Sequence, residues 1–386
     1  MERNRFHILI SSEIVKGRPY GRPFFLRDEA FLMTSWHAII KIVQTIKQIF
    51  HTKNGASEHV KTFLVINTSY FGDTILTGAL CRNIKMTYPD SRLVFIVNKP
   101  FCEVAQYLEG VDEVWSYDKK GEHRGIRGFL RFYGAYQGKY DIDAAFVIYG
   151  NERGIVLSKM LGAKEIYADN KSAIRVLLAN AQIHYEKGMH TQDKHAMLWQ
   201  LYTHQAVKSV PVSYNPPAEA QEFAKELLAA AGVQASSDDI VAICTTTKRI
   251  EKDMKLETCI ELLQGLRSMG KVPLLVGAGD VALAYSKRLQ NAGCDCYIDL
   301  TNKTSIAQLG ALLQQCSSVV SVDTGTMHFA LALDVPVVAV FYLNEQENLS
   351  GWAPKAFYRH RLLADGLCSA QSMLQYVREL DNETKG

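Results

Sequence analysis

Asp323-Thr324-Gly325-Thr326-Met327-His328 crowds a carboxylate, two hydroxyls, a glycine and an imidazole into six residues. A β-type run, Val319 to Val322, leads into this turn, and a small-residue helix starts at Thr326. Such a strand–turn–helix junction leaves backbone N–H groups free at a helix N-terminus, and the helix dipole favours a negative charge there. Holding a phosphate is the chemistry that suits it. A purely structural role, with Asp323 as an N-cap and His328 as a packing residue, fits the same letters.

Three further junctions carry comparable chemistry. In Asn67-Thr68-Ser69-Tyr70-Phe71-Gly72-Asp73-Thr74, Gly72 reads as the turn after a strand and Asp73 as the opening residue of a helix. A carboxylate at the carboxyl edge of a parallel sheet can act as a general base, although Asp is also a common N-cap. In Cys244-Thr245-Thr246-Thr247-Lys248-Arg249-Ile250-Glu251-Lys252-Asp253 a strand ends in hydroxyls and a cationic loop. Thr hydroxyls and a Lys ammonium suit phosphate oxygens, and a solvated charged loop fits equally well. In Val276-Gly277-Ala278-Gly279-Asp280 a strand runs into a glycine turn and an acid. That acid could meet a ribose hydroxyl, but the spacing is not GxGxxG.

The elements that must position these residues follow a βα rhythm. Strands are expected at Phe63–Ile66, Leu93–Val97, Val111–Trp115 and Ala144–Ile148. Helices are expected at Thr74–Met86, Pro100–Leu108, around 125–137 and at Glu152–Leu161. A long helix is expected over His190–Val207, and Pro211, Pro216 and Pro217 mark a linker. The rhythm resumes with strand Ile240–Cys244, helix 256–269, strand Val272–Val276 and helices 281–291 and Ile306–Gln315. Strand Val319–Val322, helix 326–333, strand Val335–Phe341 and a helical tail, Ser369–Leu380, complete it. Short apolar strands alternating with helices imply an α/β fold with parallel sheets covered on both faces. The expected division is an extension over 1–58, one domain over 59–212 and a second over 213–386.

The extension is locally basic, with nine Lys/Arg against five Asp/Glu. Leu32, Trp36, Ile39, Val43, Ile46 and Phe50 form one face of an amphipathic helix over 29–50. That helix packs on protein or lies on an anionic membrane surface. The whole chain carries 43 Lys/Arg against 40 Asp/Glu, too small an excess for a nucleic-acid surface. Eight cysteines show no CxxC pair, which suits reduced thiols in a cytosolic protein. No signal peptide and no spanning run of about 20 apolar residues is found, so a soluble, cytoplasmic protein is expected.

With these four junctions in order, the chain resembles glycosyltransferase family 9, the bacterial heptosyltransferases of lipopolysaccharide core assembly. Val65 to Asp73, with the helix to Arg82, corresponds to the family's first signature, a strand and polar stretch ending in Gly-Asp. The Thr-rich strand end leading to a Lys is the second. The family continues from that Lys with an aromatic residue and Pro, where this chain reads Lys252-Asp253-Met254-Lys255. Lys248 and Lys252 are therefore alternatives for the phosphate contact, and Lys252 is preferred because helix 256–269 follows it. Gly277 to Asp280 matches the third signature loosely, Asp280 standing one residue before the family's acid. Asp323 to His328, Ala330, Leu333 and Pro336 match the fourth, D-T-G-x-x-H followed by a helix and Pro, and this is the most specific of the four.

The resemblance covers Lys61 to Phe341. It implies a GT-B fold, with two Rossmann-like domains facing a cleft, the acceptor held mainly by the first and the nucleotide sugar by the second. It implies inverting transfer from a nucleotide-activated heptose, ADP-heptose, to a lipid-linked saccharide at the inner membrane surface of a Gram-negative bacterium. No cofactor, metal ion or nucleic acid takes part. In that picture Asp73 is the catalytic base behind the turn residue Gly72. The donor is held by Thr246, Thr247, Lys252, Asp280, Asp323, Thr324, Gly325, Thr326, Met327 and His328. Three rivals share the scaffold: a non-hydrolysing sugar-nucleotide epimerase, a non-catalytic sugar-nucleotide or partner-binding protein that has kept the fold, and a relative that glycosylates a different acceptor, such as a protein.

Overall fold

The computed structural model describes residues 60–150, 152–169, 178–183, 185–233, 239–343, 346–364 and 366–385. The expected extension, with its helix over 29–50, lies outside the described residues. Twelve helices and twelve strands are used below, labelled in chain order.

The first sheet contains β1 (Thr62–Asn67), β2 (Arg92–Asn98), β3 (Glu113–Tyr117), β4 (Ala144–Val147), β5 (Glu165–Asp169) and β6 (Ala181–Ile183). Between and after these strands come α1 (Phe71–Thr87), α2 (Cys102–Gln106), α3 (Gly125–Tyr136), α4 (Glu152–Leu161) and α5 (Thr191–Thr203). All pairings are parallel and the strand order is β3-β2-β1-β4-β5-β6. β1 and β4 are buried at every position, as central parallel strands covered on both faces must be.

After α6 (Ala218–Ala230) the second sheet is built from β7 (Ile240–Cys244), β8 (Val272–Leu275), β9 (Ile298–Asp299), β10 (Ser318–Val322), β11 (Val337–Val340) and β12 (His360–Leu363). Its helices are α7 (Leu256–Ser268), α8 (Asp280–Asn291), α9 (Ile306–Leu313), α10 (Gly325–Ala332), α11 (Gln346–Trp352) and α12 (Ala370–Lys385). The order β12-β11-β10-β7-β8-β9 is again fully parallel. Counted from its own first strand, each sheet runs 3-2-1-4-5-6, the doubly wound order. The chain reverses direction of travel across the sheet between β1 and β4, and again between β7 and β10. At these switch points the connecting segments diverge and leave a crevice at the carboxyl ends of the strands.

Some expectations change. The helix expected at Thr74 begins at Phe71, so Gly72 and Asp73 lie in its first turn rather than in a turn before it. The helix expected over His190–Val207 is Thr191–Thr203. His190 caps it by accepting from the Gln192 N–H at 3.2 Å, and it ends at His204, which adopts φ 55°. β5, β6, α6, β9, α11 and β12 were not expected. β9 and β12 are short, half-buried strands without an apolar run.

One apolar cluster spans both sheets, and a second packs the second sheet against α7 and α12. Phe71 of α1 meets Phe329 of α10 edge-on at 5.4 Å, and Tyr214 meets Phe329 at 4.7 Å. Polar contacts reinforce the seam. Glu103 of α2 accepts from Ser305 Oγ at 2.6 Å and from the Ile306 N–H at 3.2 Å, placing a carboxylate at the N-terminus of α9. Lys355 pairs with Asp193 at 2.7 Å. The cysteines are all free thiols, and Cys294 and Cys296 lie 3.7 Å apart at sulfur. No helix among the described residues is long and apolar enough to cross a membrane.

Candidate functional site

The segments that follow the switch-point strands β1, β4, β7 and β10 meet between the carboxyl edges of the two sheets, and the Val276–Asp280 junction, behind β8, is not among them. Behind β1, Tyr70 precedes α1 and Asp73 is the third helical residue. Asp73 Oδ2 accepts from Ser69 Oγ at 2.6 Å and from the Tyr70 N–H at 3.2 Å. Its Oδ1 accepts from the Tyr149 hydroxyl at 2.7 Å. A carboxylate offers about four lone-pair positions, so three donors leave roughly one for an incoming group. Asn67, wholly buried at the end of β1, donates Nδ2 to the Asp73 carbonyl at 3.1 Å and to Thr77 Oγ1 at 2.9 Å, tying the first turn of α1 to the strand. Tyr149 follows β4 with φ 55° and ψ 14°. This left-handed conformation is uncommon for a bulky residue and recurs where a side chain must be aimed.

The opposite wall comes from β7 and β10. After β7 the loop turns on itself: the Thr247 N–H donates to Asp253 Oδ1 at 2.6 Å, and Thr247 Oγ1 donates to the Arg249 carbonyl at 2.7 Å. Burial pushes the Asp253 carboxyl up, opposed by its bonds from Thr247. Lys252 closes the loop with its ammonium on Asp323 Oδ2, a pair whose side chains are only 12% and 10% exposed. Asp323 follows β10, and Thr324 is the extended N-cap residue of α10, with no side-chain cap of its own. The first amides of α10 therefore open beside a half-buried ammonium, which favours an anion.

The two helix N-termini touch, and glycine makes that possible. A Cβ on Gly325 would lie 2.4 Å from Phe71 Cδ1 and 3.0 Å from the Gly72 nitrogen. One on Gly72 would lie 3.1 Å from His328 Cδ2 and 3.3 Å from Gly325 Cα. Gly72 thus serves close approach inside a helix, not the turn expected of it. His328 is buried in this seam. Burial pushes its imidazole down to about 4, against the pull of Asp323 and Asp73, so the ring is neutral near pH 7.

The structure brings Gly72, Asp73, Lys252, Asp323, Thr324, Gly325, Thr326 and His328 around one cleft. Thr246 and Thr247 sit half-buried in the loop that carries Lys252. Met327 departs from its expected place: it is wholly buried, and its amide donates to the Thr324 carbonyl at 3.1 Å. Asp280 is exposed, as the first residue of α8. Lys248 is exposed, with its ammonium 4.2 Å from the centre of the Tyr70 ring, which belongs to the opposite wall. Asp141 and Asp143 both bind Lys164, and Asp143 accepts from the Thr62 N–H at 2.9 Å, so this pair is structural. Among the described residues no group of three His, Cys, Asp or Glu side chains is placed to hold a metal ion.

Tyr149 and Lys119 are site residues that no sequence pattern marks. Lys119 donates to the Thr68 carbonyl at 2.6 Å, beside the Asp73 turn. Burial pushes the Lys119 ammonium down, as do Lys120 and Lys248 nearby. Neither residue belongs to a recognisable pattern. The apolar run of β4 ending in a Tyr-Gly pair was the one available hint.

Comparison with known proteins gives a consistent answer. The profile of glycosyltransferase family 9 (heptosyltransferase) matches residues 138–360. Lipopolysaccharide heptosyltransferase 1 of Escherichia coli strain K12 is 24% identical over 306 residues, covering 75% of this chain and 90% of that protein. Among solved structures, a glycosyl transferase family 9 protein from Veillonella parvula superposes with a TM-score of 0.76 at 18% identity, over 86% of this chain and 100% of its own. The Escherichia coli heptosyltransferase WaaC with ADP gives 0.67 at 20% identity, over 83% and 99%. These likenesses show the fold, two parallel-sheet α/β halves in the GT-B arrangement.

Proposed function

The chain belongs to glycosyltransferase family 9 (heptosyltransferase), and on that premise we propose that it moves a heptose from ADP-heptose to a saccharide of the lipopolysaccharide core, inverting the anomeric centre without a metal ion. The observation that carries this reading is the facing pair of walls. A buried carboxylate, Asp73, stands on one side of the cleft. An ammonium, Lys252, and the N-terminus of α10 stand on the other.

In the proposed reaction the acceptor hydroxyl approaches the remaining lone pair of Asp73. Its proton passes to the carboxylate as its oxygen bonds to the anomeric carbon. The bond from that carbon to the diphosphate oxygen breaks on the opposite face, and its electron pair leaves with ADP. The growing negative charge is met by Lys252, by the Thr246 and Thr247 hydroxyls and by the free amides of Thr324, Gly325 and Thr326. Asp323 holds Lys252 in place, His328 spaces the seam as a neutral ring, and Asp280 is the candidate for the ribose. The acceptor side belongs to residues 59–212 and the donor side to 213–386. The ADP-bound relative of like fold supports the choice of nucleotide, and the Escherichia coli lipopolysaccharide heptosyltransferase supports the acceptor class.

The test is calorimetric titration with ADP, UDP and GDP in EDTA, paired with transfer assays on Asp73→Ala. Selective ADP binding, kept in Asp73→Ala while transfer falls by about 10²–10⁴-fold, is expected for loss of a general base. A UDP preference would redirect the donor, and an Asp73→Ala enzyme with most of its activity would remove the base.

A further inference from the structure

Helix α3 has two unlike sides. Phe129 and Phe132 are wholly buried and Tyr133 nearly so. The outer side presents Ile126 and Leu130, which are 46% and 38% exposed, between the exposed Arg124, Arg127 and Arg131. No acidic residue lies between His123 and Tyr140, and residues 119–139 hold six Lys/Arg against one Glu in a chain that is otherwise nearly balanced. The neighbouring ion pairs are Lys99–Asp118 and Lys139–Glu113, and Glu122 lies 3.8 Å from the His123 ring. Among the described residues no carboxylate pairs with Arg124, Arg127 or Arg131.

An ordinary solvated helix face mixes both signs and avoids like charges four residues apart. This one stacks Arg127 on Arg131 and Ile126 on Leu130. Aliphatic side chains flanked by arginines match the boundary between acyl chains and anionic headgroups. We propose that the outer face of α3 docks on an anionic lipid surface. The loop that leads into α3 carries Lys119, which reaches the Thr68 carbonyl at the carboxyl edge of the first sheet. The loop into α3 therefore touches the same edge of the first sheet that carries Asp73. The inference deepens the lipid-linked-acceptor reading and takes its purpose from it.

The test is co-sedimentation of the full chain with vesicles of phosphatidylcholine alone and of phosphatidylcholine mixed equally with phosphatidylglycerol. Binding to the anionic vesicles only, weakened by salt, is expected. It should fall at least about tenfold in Arg127→Glu/Arg131→Glu, the loss of two basic residues at an anionic surface, and also in Ile126→Glu/Leu130→Glu. Circular dichroism should be unchanged, as should transfer to a water-soluble acceptor fragment. Binding unchanged in both variants, or absent from the start, overturns the proposal. So does binding that is instead lost in Leu32→Glu/Trp36→Glu, which would assign docking to the extension. Loss of transfer to the soluble fragment overturns it as well, by making α3 part of the acceptor site. Docking without transfer to any lipid-linked saccharide would sink the acceptor reading and leave the docking face standing.

Discussion

Acid should loosen this protein well before its carboxylates titrate, because two buried histidines, His195 and His328, and the half-buried His190 lie along the seam between the two halves. His328 packs on Gly72. His195 lies with a ring nitrogen 3.3 Å from the Leu76 carbonyl of α1. His190 lies with one 3.0 Å from the Ala353 carbonyl. Burial pushes each of them from the ordinary 6.5 down to about 4; Lys355 adds to the fall at His190, while Asp73 opposes it at His195. In the folded chain the rings stay neutral where the unfolded chain takes up protons. The stability they contribute is therefore fully present above about pH 6.5 and lost as pH falls toward 4. Between pH 7.5 and pH 5 the two buried rings, His195 and His328, each contribute a loss of about 2 kcal/mol, about 4 kcal/mol together, and the half-buried His190 adds less. That is a large part of a typical stability of about 5–15 kcal/mol. Glu113, Asp118 and Asp193, held below the usual carboxylate range, add losses of the same sign only at lower pH. The assay is urea unfolding followed by tryptophan fluorescence at pH 7.5, 6 and 5, with His195→Gln as control. The midpoint should fall steeply between pH 6.5 and 5, and the variant should lose between about a third and a half of that dependence. A midpoint that stays level down to pH 5 would refute the reasoning.

Three other outcomes are expected. Lys252→Ala strips Asp323 of its ammonium in a nearly buried pair, so it should destabilise by about 3 kcal/mol and weaken ADP binding. Lys252→Ala/Asp323→Asn should recover stability but not affinity, and exposed Lys248→Ala should leave both unchanged; melting curves and calorimetry decide, and an ADP defect in Lys248→Ala instead would reverse the lysine assignment. Gly325→Ala drives a methyl group against Phe71 and the Gly72 backbone, so a loss of about 1–3 kcal/mol and a lower kcat are expected, and an unperturbed melting curve would show that the seam has slack. Tyr149→Phe removes one of three donors to Asp73, and kcat should drop about tenfold, the worth of a hydrogen bond to a charged group, with donor KM unchanged.

Much of the fold was legible in the sequence because buried parallel strands are written as short apolar runs. β1, β2, β4, β7 and β10 stand out for that reason. β9 and β12, at sheet edges, are short and half-buried and carry no such run. α6 carries a local signal, Ala220, Ala224 and Leu228 on one buried face behind Pro217. For the candidate site, Asp73 and the Asp323–His328 turn could be picked out because carboxylates and small residues at strand ends are local patterns. Tyr149 could not, since its meaning lies in a hydroxyl reaching a carboxylate 76 positions earlier in the chain.

What the sequence determined by itself is the alternation of strand and helix and the chemical types held at four strand ends. Both are encoded in neighbouring residues through apolar runs, glycines and caps. What only the tertiary structure decided is the strand order, which makes β1, β4, β7 and β10 the switch-point strands, and the contact of Gly72 with Gly325 and His328. These depend on which distant surfaces bury each other, and no local run of residues carries that information.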